Sequence, residues 1–74
     1  VSGRKIVETA LACNATSVVL AHNHTSGLAL PSREDEATTV RLRTALDSVG
    51  IRLADHIIVA GDDFVSLADS GLLD

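Results

Sequence analysis

Two apolar runs, residues 16–21 and 51–60, constrain this chain more than any other feature, because each has strand character and the stretch between them carries a marked helix start. Residues 16–21 are β-branched and apolar between polar flanks, which predicts a buried central strand. Residues 51–60 alternate at first and then turn continuously apolar, which predicts a second strand that becomes buried on both faces. Between them, Pro31 and Ser32 announce a helix. Ser32 stands at an N-cap position, residues 34, 35 and 36 are acidic in the first turn, and Val40, Ala45, Leu46 and Val49 supply an apolar stripe that Gly50 ends. An earlier helix is expected through residues 1–13, capped by Ser2 and stopped at Asn14, with Ile6, Val7, Ala10 and Leu11 at helical spacing. Past the second strand, residues 61–63 read as a turn, 64–67 as a third strand closing a hairpin, and 68–73 as one helical turn. The order αβαββ predicts an α/β fold whose sheet is parallel at the crossover and antiparallel at the hairpin.

At 74 residues the chain is at most one domain, and a unit of this size buries only about 60% of its unfolded surface. Phe64 is its only aromatic residue, so the core has to come from Val, Leu, Ile and Ala. No run approaches the ~20 apolar residues of a membrane span. The formal charge of −4, with no basic cluster beyond the alternating Arg41 and Arg43 and no stacking aromatics, argues against a nucleic acid partner. Cys13 is the single cysteine, which excludes an internal disulfide and suits a reducing cytosol, so a cytoplasmic protein is expected. Its place on the apolar face of the first helix predicts core packing.

Chemistry concentrates where the first strand ends. If strand geometry continues past Ala21, His22 and His24 project from one face, about 6–7 Å apart along the chain. That is close enough to share one ion. Asp35, in the first turn of the returning helix, can add a third ligand, leaving the fourth position of a zinc site for water. Each part also has an ordinary explanation: two loop histidines in one case, and in the other a capping box of Ser32 and Asp35, whose carboxylate could not fully cap the helix while bound to zinc. Asp55 and His56 point to opposite faces of a strand, so they do not share an ion, and one of them is expected to serve structurally or to support a ligand from behind. Asn23, Ser26 and Gly27 are expected to shape the loop.

The string His22-x-His24, seven residues, Ser32, two residues, Asp35 resembles the JAMM motif of the MPN metallohydrolases. With Ser26-Gly27, Pro31-Ser32, Gly50 and the 55–58 segment added, it is similar to the bacterial RadC branch of that family over nearly the whole chain. The resemblance implies helix–sheet–helix layers around a mixed sheet, as in cytidine deaminases, here as a truncated αβαββ portion forming the C-terminal part of a domain across residues 1–74. It implies that His22, His24 and Asp35 bind zinc, and that Ser32 stabilises the oxyanion as an activated water attacks a peptide or isopeptide carbonyl.

Two departures stand out. The family's general base is a glutamate on an earlier strand, whereas Glu8, the only acidic residue upstream of His22, falls on the first helix and is not assigned that role. The preceding strands are therefore expected to be missing, with a start at Val1 partway through the domain. The exposed sheet edge this leaves predicts homodimerisation. Thr25 stands where RadC proteins usually carry proline, which leaves the loop less constrained. Two alternatives stay open: a non-catalytic interaction module of the same fold, favoured by the missing base, and a DNA-repair-associated protein without hydrolase activity. The tripeptide His22-Asn23-His24 is not evidence for an HNH nuclease, whose named residues are scattered over a different motif.

Overall fold

The computed structural model describes residues 2–25 and 27–73. Its elements are α1 (Gly3–Ala12), β1 (Ser17–Asn23), α2 (Arg33–Asp47), β2 (Arg52–Ala60) and β3 (Asp63–Ser66). The strands form one sheet in the order β1-β2-β3, with β1 parallel to β2 and β2 antiparallel to β3. The mixed α/β sheet expected from the sequence is present, but among the described residues β1 lies at its edge with alternating exposure, and the buried central place belongs to β2.

Both helices are capped as their sequences predict. Ser2 accepts from the Lys5 N–H at the start of α1, and Asn14 adopts a left-handed φ of 54° just beyond its end. α2 ends in a turn through Gly50 at φ 75°, where the Ile51 N–H donates to the Leu46 carbonyl at 2.9 Å. A side chain at Gly50 would be strained there. That turn drops Ile51 into the core and delivers the chain to β2.

One cluster holds these layers together. Ala10 from α1, Leu42 and Leu46 from α2, Ile51, and Leu53 from β2 are buried, with Ile6, Val7, Val18 and Leu20 packed against them. The core is thus aliphatic, as the composition required, while Phe64 is exposed. The third layer of a helix–sheet–helix arrangement has no occupant among the described residues, since Ser17, Val19, Ala21 and Asn23, the outward side of β1, are all exposed.

Several expectations need correction. The buried stripe of α2 is Thr39, Leu42 and Leu46, while Val40, Ala45 and Val49 are exposed. The reason is phase: the stripe continues from Asp35 at i+4, i+7 and i+11, and only Leu46 of the expected set lies on it. Leu11 is half exposed for the same reason, on the flank of the α1 face centred on Ile6 and Ala10. Cys13 is not a core residue. The helix stops at Ala12, and Cys13 becomes its exposed C-cap. The single helical turn expected after β3 is present but starts earlier, with the Ser70 N–H donating to the Ser66 carbonyl and the Asp69 N–H to the Ser66 hydroxyl. Among the described residues no helix is long and apolar enough to cross a membrane.

The register between β1 and β2 breaks once. Val18 pairs with Leu53 and Val19 with Asp55, so Ala54 is an extra residue in β2. A one-residue bulge inverts the alternation beyond it. Without it, Asp55 and Ile57 would share the inner face with Leu53; with it, His56, Ile58 and Ala60 take that face and are buried.

Candidate metal centre

β1 runs two residues beyond the apolar segment, so His22 is a strand residue facing inward with Val18 and Leu20. The His24 N–H donates to the Val59 carbonyl at 2.8 Å, extending the ladder one step further. Strand alternation therefore aims both imidazoles toward one side, and their ring centroids lie 4.9 Å apart. From above, the stripe of α2 that buries Leu42 and Leu46 carries Asp35 at its first turn. Its carboxylate meets both rings, Oδ1 at 3.3 Å from His22 Nε2 and Oδ2 at 2.9 Å from His24 Nε2. One ligand atom from each of the three residues lies within 4.8 Å of the others.

Capping and convergence on the histidines coexist at Asp35. Its N–H donates to Ser32 Oγ at 3.0 Å, and its Oδ2 accepts from the Ser32 N–H at 2.8 Å, completing the capping box. A carboxylate offers about four lone-pair sites, so Oδ2 can hold the helix start while Oδ1 stays free of it. Burial pushes the Asp35 carboxyl up, but the Ser32 hydrogen bonds and the adjacent His22 and His24 outweigh it and leave its pKa below the ordinary value. Asp35 is therefore an anion at neutral pH.

The donor set fits a cation. His24 Nδ1 lies 3.2 Å from the Leu28 carbonyl oxygen, which can only accept, so Nδ1 carries the hydrogen and the neutral ring turns its Nε2 lone pair toward Asp35. Acceptors thus converge on one point and need protons or a metal ion between them. Two imidazole nitrogens and one carboxylate oxygen make a donor set zinc accepts, with a coordination position left over. The loop that returns the chain to Ser32 passes through Gly27 at φ 84°, a left-handed position that supports its expected shaping role. Ser26 lies outside the described residues.

Around these residues opens a groove of about 690 Å³, lined among others by His22, His24, Ser32, Glu34, Asp35 and Thr38. Ser32 uses its hydroxyl oxygen as an acceptor in the cap, so the hydroxyl hydrogen remains available to a group in the groove. Glu8 is elsewhere, exposed on α1 and 3.7 Å from Arg4.

Sequence reading did not bring Thr39 to the site. His56 Nε2 lies 2.9 Å from His22 Nδ1, and His56 Nδ1 lies 2.6 Å from Thr39 Oγ1. Thr39 sits four residues after Asp35, and that i, i+4 spacing is the signal in the sequence that could have found it. Burial and then the neighbouring His22 push the His56 pKa down. Asp55 points the other way, as expected of adjacent strand residues. It accepts from the Ser66 hydroxyl, the Ala68 N–H and the His56 N–H.

A family model described as "RadC-like JAB domain" matches residues 1–72. Over 70 residues the chain is 59% identical to a UPF0758 protein of Thioalkalivibrio sulfidiphilus, 56% to one of a Polaromonas species and 54% to one of Nitrosococcus oceani. In each case the match covers 95% of this chain and 31% of the relative, so the chain spans about a third of the length of these relatives. Because that family model matches nearly the whole chain, residues 1–72, the chain belongs to the RadC-like JAB domain family.

Proposed function

We propose that this chain carries the metal-binding part of a zinc-dependent hydrolase that cleaves a peptide or isopeptide bond. The observation that carries the reading is the convergence of His22, His24 and Asp35 on one point beside the open groove. Zinc held there would supply a Lewis acid and a water of lowered pKa. The chain's own residues do the rest of what is visible. Asp35 balances charge, His24 is aimed by the Leu28 carbonyl, and Ser32 offers its hydroxyl hydrogen to an oxyanion developing in the groove.

Elemental analysis and zinc titration of chelator-stripped protein test the metal reading. One zinc per chain is expected, lost when His22 and His24 are both replaced. A zinc content near zero that persists after reconstitution would sink it. Activity of the intact protein on isopeptide-linked substrates tests the hydrolase reading, with Ser32→Ala expected to lower kcat more than it raises KM.

A second reading, a non-catalytic interaction module of the same fold, is favoured by the capping box, which employs Ser32 and Asp35 structurally with no reaction needed to explain them. Stoichiometric zinc binding without turnover of any peptide or isopeptide substrate would favour the module.

A further inference from the structure

Thr39 and His56 are buried beside the site, 2% and 4% exposed. Burying polar side chains costs free energy unless they are paired. Here the pairing forms one line, from His22 through His56 and Thr39 to the backbone of α2. Thr39 Oγ1 donates to the Asp35 carbonyl at 2.6 Å and lies 2.6 Å from His56 Nδ1, while His56 Nε2 lies 2.9 Å from His22 Nδ1.

The far end of this line sets its direction. A backbone carbonyl only accepts, so it takes the single hydroxyl hydrogen of Thr39. Thr39 Oγ1 can then only accept from His56, which places a hydrogen on His56 Nδ1. A neutral His56 is left with a lone pair at Nε2, and that lone pair is satisfied only by an N–H on His22 Nδ1. His22 Nε2, 3.3 Å from Asp35 Oδ1, is then the nitrogen with the free lone pair. The Ala54 bulge makes this possible, since it turns His56 rather than Asp55 toward His22.

We propose that Thr39 and His56 are positioning residues that lock His22 in the Nδ1–H tautomer and so present its Nε2 lone pair to a metal ion. The use of the lock rests on the metal reading above; its hydrogen-bond direction does not. Without an acceptor behind it, His22 gains by moving its hydrogen to Nε2, where the Asp35 carboxylate receives it. Metal entry then requires that hydrogen to leave or move.

Long-range proton–nitrogen NMR on intact, metal-free, ¹⁵N-histidine-labelled protein, at a pH above the ordinary histidine range, reads the tautomer directly. Wild-type protein is expected to show His22 protonated at Nδ1. His56→Leu and Thr39→Val should move the hydrogen toward Nε2 and weaken zinc binding about 10–100-fold. His56→Gln, whose amide oxygen can stand where Nε2 was, should restore both. Wild-type His22 carrying its hydrogen at Nε2 overturns the proposal even if His56→Leu fails to fold. So does a folded His56→Leu protein with tautomer and zinc affinity unchanged. Absence of zinc binding in wild-type protein that shows the Nδ1–H tautomer would instead defeat the metal reading and leave the lock standing.

Discussion

Replacing Asp35 by Asn and by Ala separates its two roles, because they depend on different properties of the carboxylate. The cap needs an oxygen 2.8 Å from the Ser32 N–H, and an Asn side-chain oxygen can stand there. Its NH₂ group would then stand at the Oδ1 position facing His22 Nε2, which Asp35 meets at 3.3 Å, while the oxygen still faces His24 Nε2 at 2.9 Å. Metal-free Asp35→Asn therefore loses mainly the favourable charge at the helix N-terminus, about 0.3–1 kcal/mol. Asp35→Ala also loses the capping acceptor, about 1 kcal/mol more, which lowers Tm by a further ~4–8 °C in a domain of this size.

Zinc affinity should divide the variants differently. Loss of a group that merely supports a ligand costs about 10–100-fold, and loss of the anionic ligand itself should cost at least as much, about 1.4–2.8 kcal/mol at ~1.4 kcal/mol per tenfold. Both variants should lose it. Calorimetric zinc titration and thermal unfolding of chelator-stripped protein give the two quantities independently. Asp35→Asn binding zinc as tightly as wild type would remove Asp35 from the ligand set. Equal metal-free destabilisation by Asn and Ala would refute the assignment of the cap to that oxygen.

Leu46, with no exposed surface at the centre of the cluster, should cost about 2–5 kcal/mol on replacement by Ala, measured by chemical denaturation; a loss under 1 kcal/mol would mean that the helices are not held to the sheet through it. Burial raises the Asp55 pKa, but the Ser66, Ala68 and His56 hydrogen bonds prevail and lower it. Its contribution to stability is therefore complete above the unfolded value of ~3.9 and is lost as pH falls through the lower folded value. Asp55→Asn should flatten that acid limb of the stability curve, and an unchanged limb would count against the assignment. Among the described residues β1 pairs on one side only, so the chain is expected to dimerise through that edge. A monomeric mass by light scattering at high concentration would contradict this.

Local patterns made much of the molecule legible in advance. The helix caps at Ser2 and Ser32, the stop at Gly50, the strand character of both apolar runs and the hairpin after Ala60 each depend on a few neighbouring residues. The convergence of His22, His24 and Asp35 was legible for the same reason. Strand alternation aligns His22 with His24, and a helix start places Asp35 three residues after Ser32. What failed was the phase of the helical faces: in α2 apolarity alone marked Val40 and Val49, whereas the buried face also carries Thr39. Cys13 failed through a boundary, since a helix ending one residue earlier put it on the surface.

By itself, the sequence determined the order of elements, the aliphatic core and the spacing that brings two imidazoles and a carboxylate within reach. Only the tertiary structure decided what stands behind them. The extra residue at Ala54 inverts the alternation of β2, and a bulge depends on how two strands pair across the sheet, which local pattern does not encode. That inversion places His56 between His22 and Thr39, and it leaves Asp55 to tie down the chain after β3.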